Sequence, residues 1–353
     1  MGVNPLKRAV FLLAALISGC GGGSDGAGPS WNGTQSPSTE ASPQVTPKAD
    51  PVSGSGSALR PLARSPSHLA NRFPNAQKYS YKLGAGSIDN PSTTLTTLNS
   101  PAYAGYRIFG YFTLDGNEPA IIYEKGVVDA YSYRTSSGSA FDEGTLITQA
   151  AAGYVAMGGF LTPGGGSVTL HGKPQTGGTS GTTYDYIRLQ YDVFANVPSS
   201  AFTTQLNSAG SQGGCSIEGG AGTSTLLLRR SHPLAGVCRY EILPLAATSQ
   251  AHIDQLNAQG ARGFIPSFRG PFDGEGAKQV YVKDTSQNST FGYYVLDTPG
   301  SLTRTMTGRA NAFVDWLNRE GEKGGRSFES YVEGGVRKTI FRMSENCIGF
   351  PCD

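Results

Sequence analysis

Nucleophiles, metal sites and acid/base pairs are built from Cys, His, Asp and Glu. This chain offers five Cys, four His and 26 acidic residues in 353. His68, His171, His232 and His252 are dispersed. They form neither H-x-H nor H-E-x-x-H, the spacings that bring two imidazoles to one metal. There is no Gly-x-Ser-x-Gly elbow and no Gly-x-x-x-x-Gly-Lys-[Ser/Thr] phosphate loop. Asp142, Glu143, Glu241, Asp254, Asp284, Asp297 and Asp315 would serve glycan or peptidoglycan cleavage only if two of them converged; sequence does not show which do, and a solvated face is the expected role. Aromatic and basic residues are interleaved at Tyr81-Lys82, Tyr133-Arg134, Tyr186 with Arg188, and Arg239-Tyr240. On a shared face, Tyr81, Tyr133, Arg134, Tyr186, Arg188, Arg239 and Tyr240 would stack on sugars or pair with anions. On alternating faces, the rings pack inward and the cations are solvated. These patterns favour binding over catalysis, with no cofactor and no metal. A net charge of +2 with 15% charged residues gives no electrostatic footprint for nucleic acid.

One cysteine has a distinctive context. Lys7 and Arg8 precede an apolar run from Ala9 to Ile17, and Leu16-Ile17-Ser18-Gly19-Cys20 follows. The run is too short to span a bilayer as a mature helix. Small residues before a Cys, behind such a run, resemble the lipobox of bacterial lipoproteins. The resemblance implies cleavage after residue 19 and lipidation of Cys20; Gly21, where an Asp would signal inner-membrane retention, implies the outer membrane of a Gram-negative cell. Two or three acyl chains would hold the protein stably, since one is marginal. Residues 20–75 then read as a lipidated Cys and a Gly/Ser/Pro-rich tether without apolar periodicity. A coil of about 55 residues would reach ~40 Å.

The other cysteines are Cys215, Cys238, Cys347 and Cys352. An even number behind an export signal reads as two disulfides, with three possible connectivities. The preferred pairs are Cys215–Cys238, across two neighbouring units, and Cys347–Cys352, closing a C-terminal tail at 344–353. Their spacing does not suit a zinc site.

The elements that must position these residues are repeated. Gly makes up 49 of 353 residues, about twice the usual ~7%, and outside the tether it recurs in register. An aromatic strand returns with its last Tyr at 81, 133, 186, 240 and 294. A Leu lies seven residues before a Gly at Leu98/Gly105, Leu146/Gly153, Leu206/Gly213, Leu256/Gly263 and Leu317/Gly324, and Asn99, Asn207, Asn257 and Asn318 follow four of these Leu. Apolar spacing makes the preceding segment a helix, with Gly210, Gly260 and Gly321 expected as its left-handed caps. Two strands around a Gly-rich turn complete each unit. The predicted fold is α+β: five β-α-β-β repeats over 76–343 (about 76–127, 128–180, 181–234, 235–288 and 289–343), closed as a five-bladed α/β propeller or laid out as an open tandem array.

The Leu256-Asn257…Gly260…Gly263 pattern resembles that of small uncharacterised bacterial β-α-β-β domains, without the Trp those carry after the last Gly. Five such units also look like the pentein propeller in architecture alone. Catalytic penteins use a Cys nucleophile; Cys347 is the nearest candidate, and Cys352 offers it a disulfide partner. The expected function is a membrane-anchored, non-catalytic binding or scaffold lipoprotein with an envelope protein or glycan partner. The alternatives are an envelope enzyme acting on glycan or peptidoglycan, and a surface adhesin or inhibitor. Changing Cys20 to Ala is expected to move the protein from the membrane to the soluble fraction on cell fractionation; unchanged partition would refute the anchor.

Overall fold

The computed structural model describes residues 66–85, 90–113, 119–126, 128, 130–137, 142–161, 166–175, 181–190, 197–219, 225–272, 275–299 and 307–349. The leader, Cys20 and Cys352 lie outside these residues. The alternating aromatic runs are strands and the Leu-bearing segments are helices. Unit one comprises β1 (Ser80–Ala85), α2 (Pro91–Leu98), β2 (Tyr106–Thr113) and β3 (Pro119–Lys125). Unit two has β4 (Tyr131–Ser137), α3 (Glu143–Ala151), β5 (Val155–Leu161) and β6 (Ser167–Pro174). Unit three has β7 (Thr183–Gln190), α4 (Ser199–Ser211), β8 (Ser216–Gly219) and β9 (Thr225–His232). Unit four has β10 (Cys238–Pro244), α5 (Ser249–Ala261), β11 (Ile265–Phe272) and β12 (Gly276–Asp284). Unit five has β13 (Thr290–Asp297), α6 (Thr307–Glu322), β14 (Arg326–Glu333) and β15 (Val336–Glu345). Each unit forms its own three-stranded antiparallel sheet, with the third strand between the first and second.

The N-terminal boundary moves. Helix α1 (Pro66–Arg72) precedes unit one, within the stretch expected to be tether. Its Leu69 and the following Phe73 and Ala76 are buried with Tyr294, Trp316 and Phe341 of unit five. Two apolar residues one helical turn apart were enough to dock this segment, and their burial outweighs the polar composition around them.

No unit holds a core of its own. The apolar clusters join unit three to four and five, unit five to α1 and unit one, and unit one to two. Each helix packs on the first strand of the following unit, and α6 packs on β1. Neighbours thus supply the burial that a unit of about 53 residues lacks.

The conserved-looking glycines divide by function, and the cap position differs from expectation. Gly210, Gly260 and Gly321 lie inside their helices, while Gly213, Gly263 and Gly324 take φ values of 91°, 84° and 93°. In unit three the Gly213 N–H donates to the Gly210 carbonyl (3.0 Å) and the Gly214 N–H to the Ala209 carbonyl (3.0 Å). That pair of bonds is a Schellman cap, so the left-handed residue is the later Gly. The earlier Gly exists for approach: a methyl on Gly260 would stand 2.5 Å from the Phe291 carbonyl oxygen of the next unit.

Asparagine completes the junction. Asn257 Oδ1 accepts from the Tyr293 N–H (2.9 Å), and its Nδ2 donates to the Tyr293 carbonyl (2.9 Å). Asn99 does the same for Tyr133, Asn207 for Tyr240 and Asn318 for Tyr81. Tyr81, Tyr133, Tyr240 and Tyr293 are therefore equivalent, which corrects the register of unit five by one residue from the Tyr294 expected. Cys215 and Cys238 form a disulfide across the junction of units three and four. Cys347 is also disulfide-bonded.

Gly260→Ala is expected to lower the melting temperature, through an overpacking cost of about 1–3 kcal/mol. Gly144→Ala, where a methyl meets nothing nearer than 3.6 Å, should raise it slightly. Equal effects of the two would contradict the close-approach account, and thermal unfolding distinguishes them.

Candidate functional site

The tyrosines expected on a ligand face lie in the junctions. Tyr81, Tyr133 and Tyr240 are buried. The Tyr133 hydroxyl donates to the Tyr106 carbonyl across units one and two. The Tyr240 hydroxyl bonds the Gly214 carbonyl (2.8 Å) and the Cys215 carbonyl (3.1 Å) across units three and four. Burial pushes the phenol pKa values of Tyr81, Tyr133 and Tyr240 upward, so all three are neutral donors. Tyr186 is half-buried and donates to Glu218 Oε2 (2.6 Å). The cations disperse. Arg134 lies over the Tyr154 ring at 3.7 Å, Arg188 pairs with Glu143 of the preceding unit, and Arg239 is exposed, 3.7 Å from Glu241.

The candidate carboxylates also have local roles. Asp142 caps α3 by accepting from the Thr145 N–H (2.8 Å), and the Thr145 hydroxyl together with that N–H lowers its pKa. Glu241 pairs with Arg262 (2.6 Å), Asp297 with Lys338 (2.8 Å), and Asp284 accepts from Ser286 and Gln287. Asp254 accepts from Gln250, and Asp315 is exposed on α6.

The densest polar cluster is one that spacing does not reveal. Glu124, on the central strand of unit one, is 1% exposed. Its carboxylate accepts from Arg107 Nε (3.1 Å) and Nη2 (2.9 Å). It also accepts from Arg326 Nε of unit five (3.0 and 3.1 Å) and from the Tyr81 hydroxyl (3.2 Å). Burial raises its pKa, but Arg326 and Arg107 together overcome this and hold it at about 2. A carboxylate so acidic stays ionised at any physiological pH. It is a fixed anion joining the last unit to the first, and cannot act as a general acid.

Two further clusters repeat the theme. Arg229 Nη1 reaches Glu218 Oε1 at 2.5 Å, beneath Tyr186. Arg269 Nη2 of unit four reaches Glu329 of unit five (2.9 and 3.0 Å), beside His252. Burial raises the Glu329 pKa, while His252 and Arg269 bring it to a net decrease. His171 bonds Ser136 Oγ (2.8 Å), and burial with Arg134 nearby depresses its pKa to about 4, so it is neutral.

Among the described residues there is no group of three or more metal-ligating side chains, and no helix long and apolar enough to cross a membrane. Comparison with family models, curated proteins and solved structures finds no match to the chain.

The Glu124 cluster carries a pH signature. Its pKa falls from an ordinary 4.5 to about 2 on folding. Its stabilisation is therefore complete above about pH 4.5 and is lost as pH falls toward 2. Glu124→Gln should destabilise the protein at pH 7 by about 3–5 kcal/mol, because two guanidiniums lose their anion. The gap from the wild type should narrow on acidification below 4.5; a constant gap in melts from pH 7 to 3 would contradict the assignment.

Proposed function

We propose that this protein is a lipid-anchored lipoprotein of a Gram-negative outer membrane whose five units close as a five-bladed α/β propeller. That propeller serves as a non-catalytic binding or scaffold module for an envelope protein or glycan. The segment around Cys20 supports the anchor. Closure is supported by α6 packing on β1, by the Asn318 clamp on Tyr81, and by Arg326 bonding Glu124. The observation that carries the scaffold reading is where the polar side chains go: Tyr133, Tyr240, Glu124 and Arg326 spend hydrogen bonds between units, and the Tyr81 hydroxyl accepts from the Ser327 N–H of unit five. Such a design invests in a fixed shape.

If the units close, Asn318→Ala should destabilise the protein about as much as Asn257→Ala does. In an open array the α6–β1 contact is absent in solution, and Asn318→Ala would leave the melting temperature unchanged. Turnover of purified peptidoglycan or polysaccharide by the full chain, retained after repurification, would overturn the non-catalytic reading.

A further inference from the structure

The five units can be compared at one position: the central-strand residue opposite the equivalent first-strand tyrosine, which is Asn-clamped in every unit but the third. It is Glu124 opposite Tyr81, Gly172 opposite Tyr133, Arg229 opposite Tyr186, Val282 opposite Tyr240 and Arg342 opposite Tyr293. Directly opposed residues on antiparallel strands project from one face with their Cβ atoms ~5 Å apart. Where this residue is charged in units one and three, the protein supplies the counter-charge: Arg107 and Arg326 for Glu124, and Glu218 for Arg229. Glu218 also accepts the Tyr186 hydroxyl (2.6 Å).

Unit five breaks the rule. Arg342 is 5% exposed and Tyr293 is fully buried. The residue that follows Arg326 as Glu218 follows Ser216 is Phe328, and its ring packs edge-on against Tyr293 at 5.8 Å. Among the described residues, Arg342 Nη2 and the Tyr293 hydroxyl have no hydrogen-bond partner, nor has Oγ of buried Ser344, two residues along the same strand face. The Arg342 guanidinium has no hydrogen-bond or ion-pair partner among the described residues; it lies over the Phe291 ring, 5.5 Å away, and its cross-strand neighbours are Tyr293 and Arg326, the latter already paired with Glu124. Buried guanidiniums are ordinarily paired, and phenols ordinarily bonded, because neither gains by leaving water alone. Three orphaned donors on one face, one of them cationic, form a receptor for an anion with oxygen acceptors.

We infer that the face of unit five bearing Arg342, Tyr293 and Ser344 binds a small oxyanion, a carboxylate or a phosphate. Its oxygens take from Arg342 and Tyr293 the bonds that Glu218 takes from Arg229 and Tyr186. The inference deepens the binding-module reading by naming a ligand class, and it does not depend on the anchor.

The test is a thermal melt of the full chain in detergent, titrated with sodium acetate or sodium phosphate against sodium chloride at matched ionic strength. A saturable rise in melting temperature is expected with one or both oxyanions over chloride, and the effective one identifies the head group. Arg342→Met should abolish the saturable part. Tyr293→Phe should weaken apparent affinity by about tenfold, in keeping with one lost hydrogen bond to a charged group. Phe328→Glu, which restores the unit-three arrangement, should remove the anion dependence and raise the anion-free melting temperature. Responses equal to chloride in the wild type, or unaltered in Arg342→Met, would overturn the site. Cell fractionation would still report on the anchor.

Discussion

An edge strand carries N–H and C=O groups that its own sheet cannot satisfy, and everything else in this fold follows from how those groups are covered. The first strand of every unit is such an edge. Four times the solution is the side-chain amide of an Asn from a neighbouring helix, which presents one acceptor and one donor to a single residue's backbone. Only an amide offers both partners at that spacing. To reach the edge, the helix must lie almost against the strand, which accounts for Gly three residues beyond the Asn. The chain must then reverse at once into the next strand, which accounts for the left-handed Gly three residues further on.

The arrangement tolerates variation because each junction has several fastenings. Ile147 occupies the Asn position of unit two, and there Arg188 and Glu143 pair across the boundary instead. A disulfide joins units three and four. Charged pairs join four to five through Arg269 and Glu329, and five to one through Arg326 and Glu124. The buried Arg326–Glu124 pair adds little stability over apolar packing, but leaving either charge unpaired by misregister would be costly. A chain of five units with the same element order has many ways to pair wrongly, so distinct junction chemistry discriminates the proper neighbour from the wrong one.

The repeat was legible in the sequence because its markers are backbone demands: Asn for an edge, Gly for contact and for positive φ. The hairpin of the last two strands followed from its Gly-rich turn, and the Cys215–Cys238 bond from the even cysteine count, whereas the seat of the third strand between the other two was not legible. The register of unit five was not legible, because Tyr293 and Tyr294 are adjacent and only the Asn257 bonds choose between them. The polar clusters were hidden for a different reason. Ile121, Ile122, Tyr123 and Glu124 are all buried in succession, since a central strand covered on both faces loses its alternation. In such a strand a charged residue reads as an irregularity until its partners are found, and Arg326 lies 202 residues away. The Tyr-Arg pattern left two readings open because the same residues serve a ligand or a neighbouring unit equally well.

Helix α1 bears on how the molecule takes mechanical load. Leu69 and Phe73 sit beneath the sheet of unit five, and Phe73 fills the space left by Gly292. A pull on the chain from its N-terminal side meets this plug before it meets any strand. The plug rests on a few side-chain contacts, whereas β1 behind it is held along its length by β3 and by Asn318. On the N-terminal side the first packed element of the described residues is therefore a small docked helix, and β1, which carries Tyr81 beside Glu124, lies behind it.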